Sequence, residues 1–153
     1  MKNRNAEWLA RAVIVAMFVL AAWAWPSAPA QIPIHWNIAG QIDGYGSKFT
    51  GLLLPPLIAL AGYALIGLGP SIKPERFDAR LRGALEWFRV AYVLVAAGLF
   101  CVVAADARGS NVNMNYVAFP LVGLMFIAIA NLIVRSRQAK AARATPPGGG
   151  IRI

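Results

Sequence analysis

The residues best suited to chemistry lie within one short polar stretch, which holds the single histidine of the chain. His35, Asp43 and Ser47 are the side-chain types of a base, an orienting carboxylate and a nucleophile, so hydrolysis is one reading. His35 and Asp43 are also metal-ligand types, but a zinc site needs three or four ligands and the stretch offers only these two. A third reading is that His35 and Asp43 hydrogen-bond and fix the shape of the stretch. We expect neither enzymatic activity nor a bound metal or other cofactor.

Glycine and proline indicate that this stretch adopts one conformation. Asp43-Gly44 is a strong turn signal, because glycine adopts positive φ without strain. The prolines before it favour extended geometry, and they are Pro26, Pro29 and Pro33. Trp36 and Tyr45 are then predicted to offer aromatic contact surfaces. A shaped loop with aromatic faces is suited to recognition of a peptide or of lipid headgroups.

The elements that position this stretch are predicted by hydropathy. The chain of 153 residues is 59% hydrophobic and only 14% charged, whereas a soluble domain carries about 25% charged residues. The deficit is concentrated in four apolar runs, and the shortest spans about 27 Å as a helix, enough to cross the hydrocarbon core. We therefore predict an all-α membrane protein whose residues 1–134 form one domain of four transmembrane helices. The predicted spans are 8–25, 51–69, 84–105 and 116–134.

Lys and Arg predict the orientation of these spans. Of fifteen in the chain, thirteen flank one side of the predicted spans. They are Lys2, Arg4, Arg11, Lys73, Arg76, Arg80, Arg82, Arg89, Arg135, Arg137, Lys140, Arg143 and Arg152. Only Lys48 and Arg108 lie on the other side, and basic residues favour the cytoplasmic side. The sequence thus predicts a multi-pass protein of the bacterial inner (cytoplasmic) membrane, with both termini cytoplasmic and one ordered extracytoplasmic loop between helices 1 and 2.

Net charge and the two ends of the chain allow further readings. The net charge of +9 suggests nucleic-acid binding as one hypothesis. Because the basic residues lie beside the predicted spans, they indicate the lipid bilayer as the partner, and we predict no nucleic acid. Residues 135–153 are basic and then rich in Pro and Gly, which predicts a disordered cytoplasmic tail. Residues 28–30, Ala-Pro-Ala, imitate a secretory cleavage site. We expect the first span to stay uncleaved.

Small and charged residues predict contacts within the membrane. Glu86 and Arg89 lie three apart and can pair on one helical face. Cys101 lies in an apolar run and is expected to behave as a small hydrophobe. Glycines permit close approach of helices, and those in the predicted spans include Gly62, Gly67, Gly98 and Gly123.

Residues 32–48 fit the pattern IPxHWxxxGxxDxxxxK, with Pro33, His35, Gly40, Asp43 and Lys48 in register. In this they resemble the N-terminal domain of SdpI-like proteins, integral membrane immunity proteins that protect a producing bacterium from its own secreted toxic peptide. The resemblance covers about residues 8–70. The Pro-Trp-Thr segment that follows the later spans in that family is not found here.

The resemblance implies a non-enzymatic function, protection against a membrane-active toxic peptide through the external loop. The partners implied are the bilayer and the secreted peptide, and no oligomeric state is indicated. Two alternatives remain open: a structural or accessory membrane protein, and a small membrane enzyme or transporter that uses the same loop. The recognition residues implied are Pro33, His35, Trp36, Asn37, Gly40, Asp43, Gly44, Tyr45 and Lys48.

Overall fold

A computed structural model gives the structure of residues 4–110 and 112–144. Within this part of the chain there are four helices long and apolar enough to cross a membrane, which confirms the predicted multi-pass architecture. They are α1 (Arg4–Ala24), α2 (Leu54–Ile72), α3 (Ala79–Asp106) and α4 (Met114–Ala144).

The connection between α1 and α2 contains an antiparallel β-hairpin, which the sequence analysis did not predict. Its strands are β1 (Gln31–Trp36) and β2 (Ile42–Ser47). We call the end of the bundle that carries it the hairpin end; α1 and α3 finish there, and α2 and α4 begin there. The opposite end, with the start of α1, the α2–α3 connection and the end of α4, is the terminal end.

Helix α3 is the central element, since it packs against each of the other three helices. Small side chains predominate in its contacts, and one cluster lies towards each end of the bundle. The cluster at the hairpin end comprises Met17, Ala21, Ala24, Ala28, Ile32, Leu52, Ala59, Phe100, Val103, Ala104 and Ala107. The cluster towards the terminal end comprises Ala10, Ile14, Tyr63, Val90 and Val93. In a bilayer such small residues let backbones approach closely, which is a main source of helix association.

Local chemistry sets the helix boundaries. Asp78 caps α3, because its Oδ1 accepts a hydrogen bond from the backbone N–H of Leu81 at 2.8 Å. Before α2, a π-helical turn spans Phe49–Leu53, and Leu54 N–H donates to the Phe49 carbonyl. Pro55 and Pro56 follow and lack an N–H, so they cannot donate the usual i→i−4 bonds to the carbonyls of this turn.

Helix α4 is longer than its predicted span. It continues to Ala144, so residues 135–144 of the predicted disordered tail are helical. This segment is rich in Ala, Arg, Lys and Gln, which are strong helix formers and extend a helix already begun in the apolar span. Residues 145–153, where the rest of the predicted tail falls, lie outside the described part of the chain, as do residues 1–3.

The predicted glycine contacts hold for Gly62, Gly67 and Gly98, but Gly123 has nothing within 4 Å of the position of a Cβ. A Cβ on Gly62 would overlap the Tyr92 hydroxyl, which donates a hydrogen bond to the Ile58 carbonyl at 2.8 Å. Gly62 is therefore where α2 and α3 come close.

Gly62→Ala is expected to force Tyr92 out of this contact and to lower the free energy of unfolding by about 1–3 kcal/mol through overpacking. Gly123→Ala is the matched control, since both glycines lie within helices and alanine favours a helix by about 1 kcal/mol over glycine. Thermal melting in detergent should show a loss for the first variant and no loss for the second. Equal stability of the two would contradict the close approach of α2 and α3.

Candidate functional site

The two hairpin strands are distorted around His35. Two bulges interrupt the ladder, with Ile34 as the extra residue on β1 and Asp43 as the extra residue on β2. Pro33 is compatible with this position, because proline offers no N–H to a ladder and occurs at edges and bulges. A bulge redirects the side chains that follow it, and here the neighbours Ile34 and His35 are both exposed.

The turn of the hairpin is organised by Asn37. Its Oδ1 accepts hydrogen bonds from the backbone N–H groups of Ala39 at 2.9 Å and Gln41 at 3.0 Å. Its own N–H donates to the Gln41 carbonyl at 2.8 Å. Gly40 completes the turn with φ +77°, a conformation that costs other residues about 1–2 kcal/mol.

The predicted Asp43-Gly44 turn is therefore wrong. Gly44 lies within β2, and among the described residues positive φ is confined to Gly40 and Gly109. Gly44 is required for another reason, because a Cβ there would lie 2.8 Å from His35 Cβ. The observed turn lies four residues earlier, with Gly40 in place of Gly44, and the Asn37 side chain supplies its hydrogen bonds.

We call the face of the hairpin that exposes His35, Asp43 and Tyr45 the outer face. His35 and Asp43 form its polar centre, as the hydrogen-bonding reading predicts. His35 Nδ1 lies 2.5 Å from Asp43 Oδ1, and the two side chains are 70% and 43% exposed. When Asp43 is ionised and the His35 ring is neutral, Nδ1–H donates and Nε2 keeps its lone pair as an acceptor. An exposed pair of this kind contributes about 0–1 kcal/mol to stability, so its main effect is to orient the ring.

The two aromatic residues of the loop have different environments. Tyr45 is exposed on the same face of β2 as Asp43, two residues away. Trp36 is partly buried and packs against the cluster at the hairpin end, so it is not the free contact surface that the sequence suggests. Its Nε1 is buried without a hydrogen-bond partner among the described residues. The contact surface is therefore made by His35, Asp43 and Tyr45, with the Ile38 side chain 95% exposed at the tip.

The base of the hairpin is fixed to the bundle. Lys48 Nζ donates to the Trp25 carbonyl at 2.9 Å, which joins the end of β2 to the end of α1. The Ile32 side chain is fully buried, and it packs so closely on Gly51 that a Cβ there would lie 2.8 Å from it. Lys48, predicted as a recognition residue, is thus engaged in anchoring.

The tip of the hairpin is fixed to the α3–α4 connection and to the first turn of α4. Asn115 Nδ2 donates to the Ile38 carbonyl at 3.0 Å, and Asn113 Oδ1 lies against Gly40. Asp106, 8% exposed, holds this connection, since its Oδ1 accepts from the Val112 N–H at 2.9 Å. These three residues were not predicted from the sequence; a signal that could have indicated them is the excess of Asn and Asp between residues 106 and 115.

The geometry separates Ser47 from the His35–Asp43 pair. Ser47 lies opposite Gln31 at the far end of the strands from His35, about 10 Å away at the rise of a strand. Its Oγ is 3.1 Å from Thr50 Oγ1 and accepts from the Thr50 N–H. The described residues contain no group of three or more His, Cys, Asp and Glu placed to hold a metal ion. What this face offers is a set of hydrogen-bonding groups beside a phenol ring.

Gly40→Ala is expected to lower hairpin stability by about 1–2 kcal/mol from backbone strain and further by collision with Asn113. Gly109→Ala is the matched control: Gly109 has φ +88°, but nothing lies within 4 Å of a Cβ there. Hydrogen exchange should therefore show faster exchange at the hairpin amides for Gly40→Ala alone. Equal exchange at those amides in both variants would contradict the positive φ of Gly40 and its contact with Asn113.

The segment that carries the hairpin is similar to a domain found in other proteins. Residues 12–60 match the family model of a domain of unknown function, DUF1648, an uncharacterised domain known in membrane proteins. The match includes most of α1, the whole hairpin and the first residues of α2. No curated protein and no solved structure matches the chain.

Proposed function

We propose that this chain is an immunity protein similar to the SdpI-like family, which binds a secreted membrane-active peptide on the outer face of its hairpin. The observation that carries the proposal is the exposed His35–Asp43 pair on a hairpin fixed at base and tip. The match to a domain found in membrane proteins covers this same segment. Binding would prevent the peptide from acting on the bilayer, and no chemical step is required.

The hairpin must face outward for this function, and the distribution of charge supports that orientation. The predicted flanking cations, apart from those outside the described residues, belong to the terminal end, and Lys48 and Arg108 belong to the hairpin end. Because basic residues favour the cytoplasmic side, the termini would lie in the cytoplasm and the hairpin outside the inner membrane.

Orientation is testable with single cysteines in a Cys101→Ser background, since Cys101 is itself exposed. A membrane-impermeant maleimide added to intact cells should label Ser47→Cys on β2 and leave Ser136→Cys on α4 unlabelled. Permeabilised cells provide the control, in which both sites should react. Labelling of Ser136→Cys alone in intact cells would place the hairpin in the cytoplasm and contradict the proposal.

The outer face suits a peptide for physical reasons. The His35 ring and the Asp43 carboxylate offer acceptors to backbone N–H groups or cationic side chains, and Tyr45 offers contact area with little entropy to lose. Binding is favoured when the surface is already ordered, because less conformational entropy is lost. The anchoring at Lys48 and Asn115 provides that order.

A structural cap is the second candidate, favoured by the burial of Ile32 and the packing of Trp36 against the core. The two functions differ in which face matters. A cap depends only on the contacts that hold the hairpin to the bundle, such as the packing of Ile32 and Trp36. Recognition depends on His35, Asp43 and Tyr45.

Protection can be measured by expressing the chain in a sensitive bacterium and adding a secreted membrane-active peptide. The first peptide to test is one that is encoded beside the gene for this chain. His35→Ala and Asp43→Ala should each reduce protection roughly thirtyfold, the effect of a hot-spot residue. Both variants should insert normally, since the apolar spans and their flanks are untouched. If the pair acts as a unit, the double variant should be no worse than either single one.

Gln31→Ala is the matched control, an exposed residue on β1 at the other end of the hairpin, and it should protect fully. Tyr45→Ala separates polar from aromatic contacts on the same face. Full protection by all the outer-face variants, with loss on Asn115→Ala, would favour the cap and contradict recognition.

A further inference from the structure

A cavity of about 760 Å³ opens between α1, α2 and α3 at the terminal end, remote from the hairpin. Its walls combine charged groups with an apolar lining. The apolar lining residues include Ala64, Ile66, Gly67, Leu68 and Pro70 of α2, together with Phe77 and Leu85. The charged groups are Glu7, Arg11, Arg82, Glu86 and Arg89. A cavity lined by both charged and apolar groups, at the end of membrane-spanning helices, is suited to an amphipathic ligand.

Two guanidinium groups in this cavity converge on one carboxylate. Arg11 Nη2 lies 3.5 Å from Glu7 Oε2, and Arg89 Nη1 lies 3.5 Å from Glu7 Oε1. A strong charge-assisted hydrogen bond is about 2.7–2.9 Å long. Both contacts are therefore loose, and one carboxylate does not saturate the donors of two guanidinium groups.

Arg89 is the most constrained of these groups. Its side chain is 15% exposed, its guanidinium lies 3.8 Å from the centre of the Tyr63 ring, and a Cβ on Gly67 would lie 2.9 Å from its Nη2. Its Nε is buried without a hydrogen-bond partner among the described residues. A buried donor left unsatisfied costs about 1–3 kcal/mol, so the described residues leave part of the hydrogen-bonding capacity of this guanidinium unmet.

Neighbouring groups hold the guanidinium pair in place. Arg11 Nε donates to the Tyr63 hydroxyl at 3.2 Å, so one tyrosine supports both arginines. Arg82 donates to the Phe77 and Pro74 carbonyls at 2.8 and 2.9 Å, which fixes the α2–α3 connection as the rim of the cavity. Three guanidinium groups face two carboxylates, so the lining carries a formal excess of positive charge.

We propose that this cavity binds a phosphate group between Arg11 and Arg89, and that the phosphate belongs to the headgroup of an anionic membrane lipid. Phosphate oxygens match the planar fork of arginine and satisfy several donors at once. The apolar lining residues of α2, which include Ile66 and Leu68, would contact the acyl chains. Basic pockets between helices at a membrane surface bind such headgroups. This site is independent of the function proposed for the hairpin.

The proposal is tested on the full chain purified in an uncharged detergent, with phosphatidylglycerol as the probe. Binding is counted by native mass spectrometry, and thermal melting gives its stabilising effect. Diacylglycerol with the same chains tests the need for the phosphate, and inorganic phosphate tests the need for the chains. We expect phosphatidylglycerol to bind and to raise the melting temperature, and both other probes to have little effect.

Variants test the residues. Arg11→Gln and Arg89→Gln should each weaken phosphatidylglycerol binding about tenfold, the loss of one charge-assisted contact. Arg89→Lys keeps the charge but not the fork and should be intermediate. Glu7→Gln removes the competing carboxylate and should strengthen binding, although it weakens the contact between α1 and α3. A purely structural role of these residues would not move binding and stability in opposite directions.

Arg135→Gln is the matched control, an exposed arginine of α4 at the same end of the bundle, and its binding should be unchanged. Arg11 is half exposed, so Arg11→Gln remains informative if Arg89→Gln fails to fold. Equal losses on Arg11→Gln and Arg135→Gln would show general attraction to anionic lipid and overturn the site. Binding of inorganic phosphate with the same variant pattern, but not of phosphatidylglycerol, would overturn the assignment to a lipid.

Discussion

In the hydrocarbon core of a bilayer there is no water for a backbone N–H or C=O group, so every crossing segment must satisfy its own hydrogen bonds. This constraint makes the four spans helical and leaves irregular backbone only at their ends. The hairpin and the arginine-lined cavity lie at those two ends. The polar side chains of the two sites therefore lie at opposite ends of the bundle, and the packing of the helices sets the shape of each site.

Close packing of small residues connects the two ends. Helix α3 contacts all the other helices, and the cluster at the hairpin end consists largely of alanine. The same cluster receives Ile32 from β1 and Leu52 from the π-helical turn, so the hairpin is a continuation of the core. The position of the hairpin is therefore set by its packing on the bundle, and the side chains of its outer face are not needed for that packing.

Hydropathy predicted the helices because the length of an apolar run is a direct consequence of bilayer thickness. It predicted neither the end of α4, where helix propensity continues past the apolar run, nor the hairpin, whose strands are short and rich in Gly and Pro. The turn was misplaced because Asp43-Gly44 and Asn37–Gly40 both carry turn residues. The Asn37 side-chain hydrogen bonds, the bulges and the docking of the tip on Asn113 and Asn115 decide between them, and the docking is a tertiary feature.

The candidate site was predicted in part for a similar reason. His35 and Asp43 are close in sequence, so their hydrogen bond followed from local reasoning, whereas the burial of Trp36 depends on α3. The contacts of Arg89 were still harder to predict, because its guanidinium meets the carboxylate of Glu7, 82 residues away in the sequence. No periodicity within one helix indicates such a contact; the sequence suggested a local pairing with Glu86.

The two ends present their polar groups in different ways, and this determines what each can recognise. At the hairpin end the groups stand on an exposed surface, where a small molecule would bury little area and bind weakly. An extended partner contacts many such groups at once, and a rigid surface lowers the entropy lost on binding. At the terminal end the donors lie within a cavity, and two of the guanidinium groups share the Glu7 carboxylate. There a single compact anion satisfies several of them together, and its affinity comes from charge and enclosure instead of area.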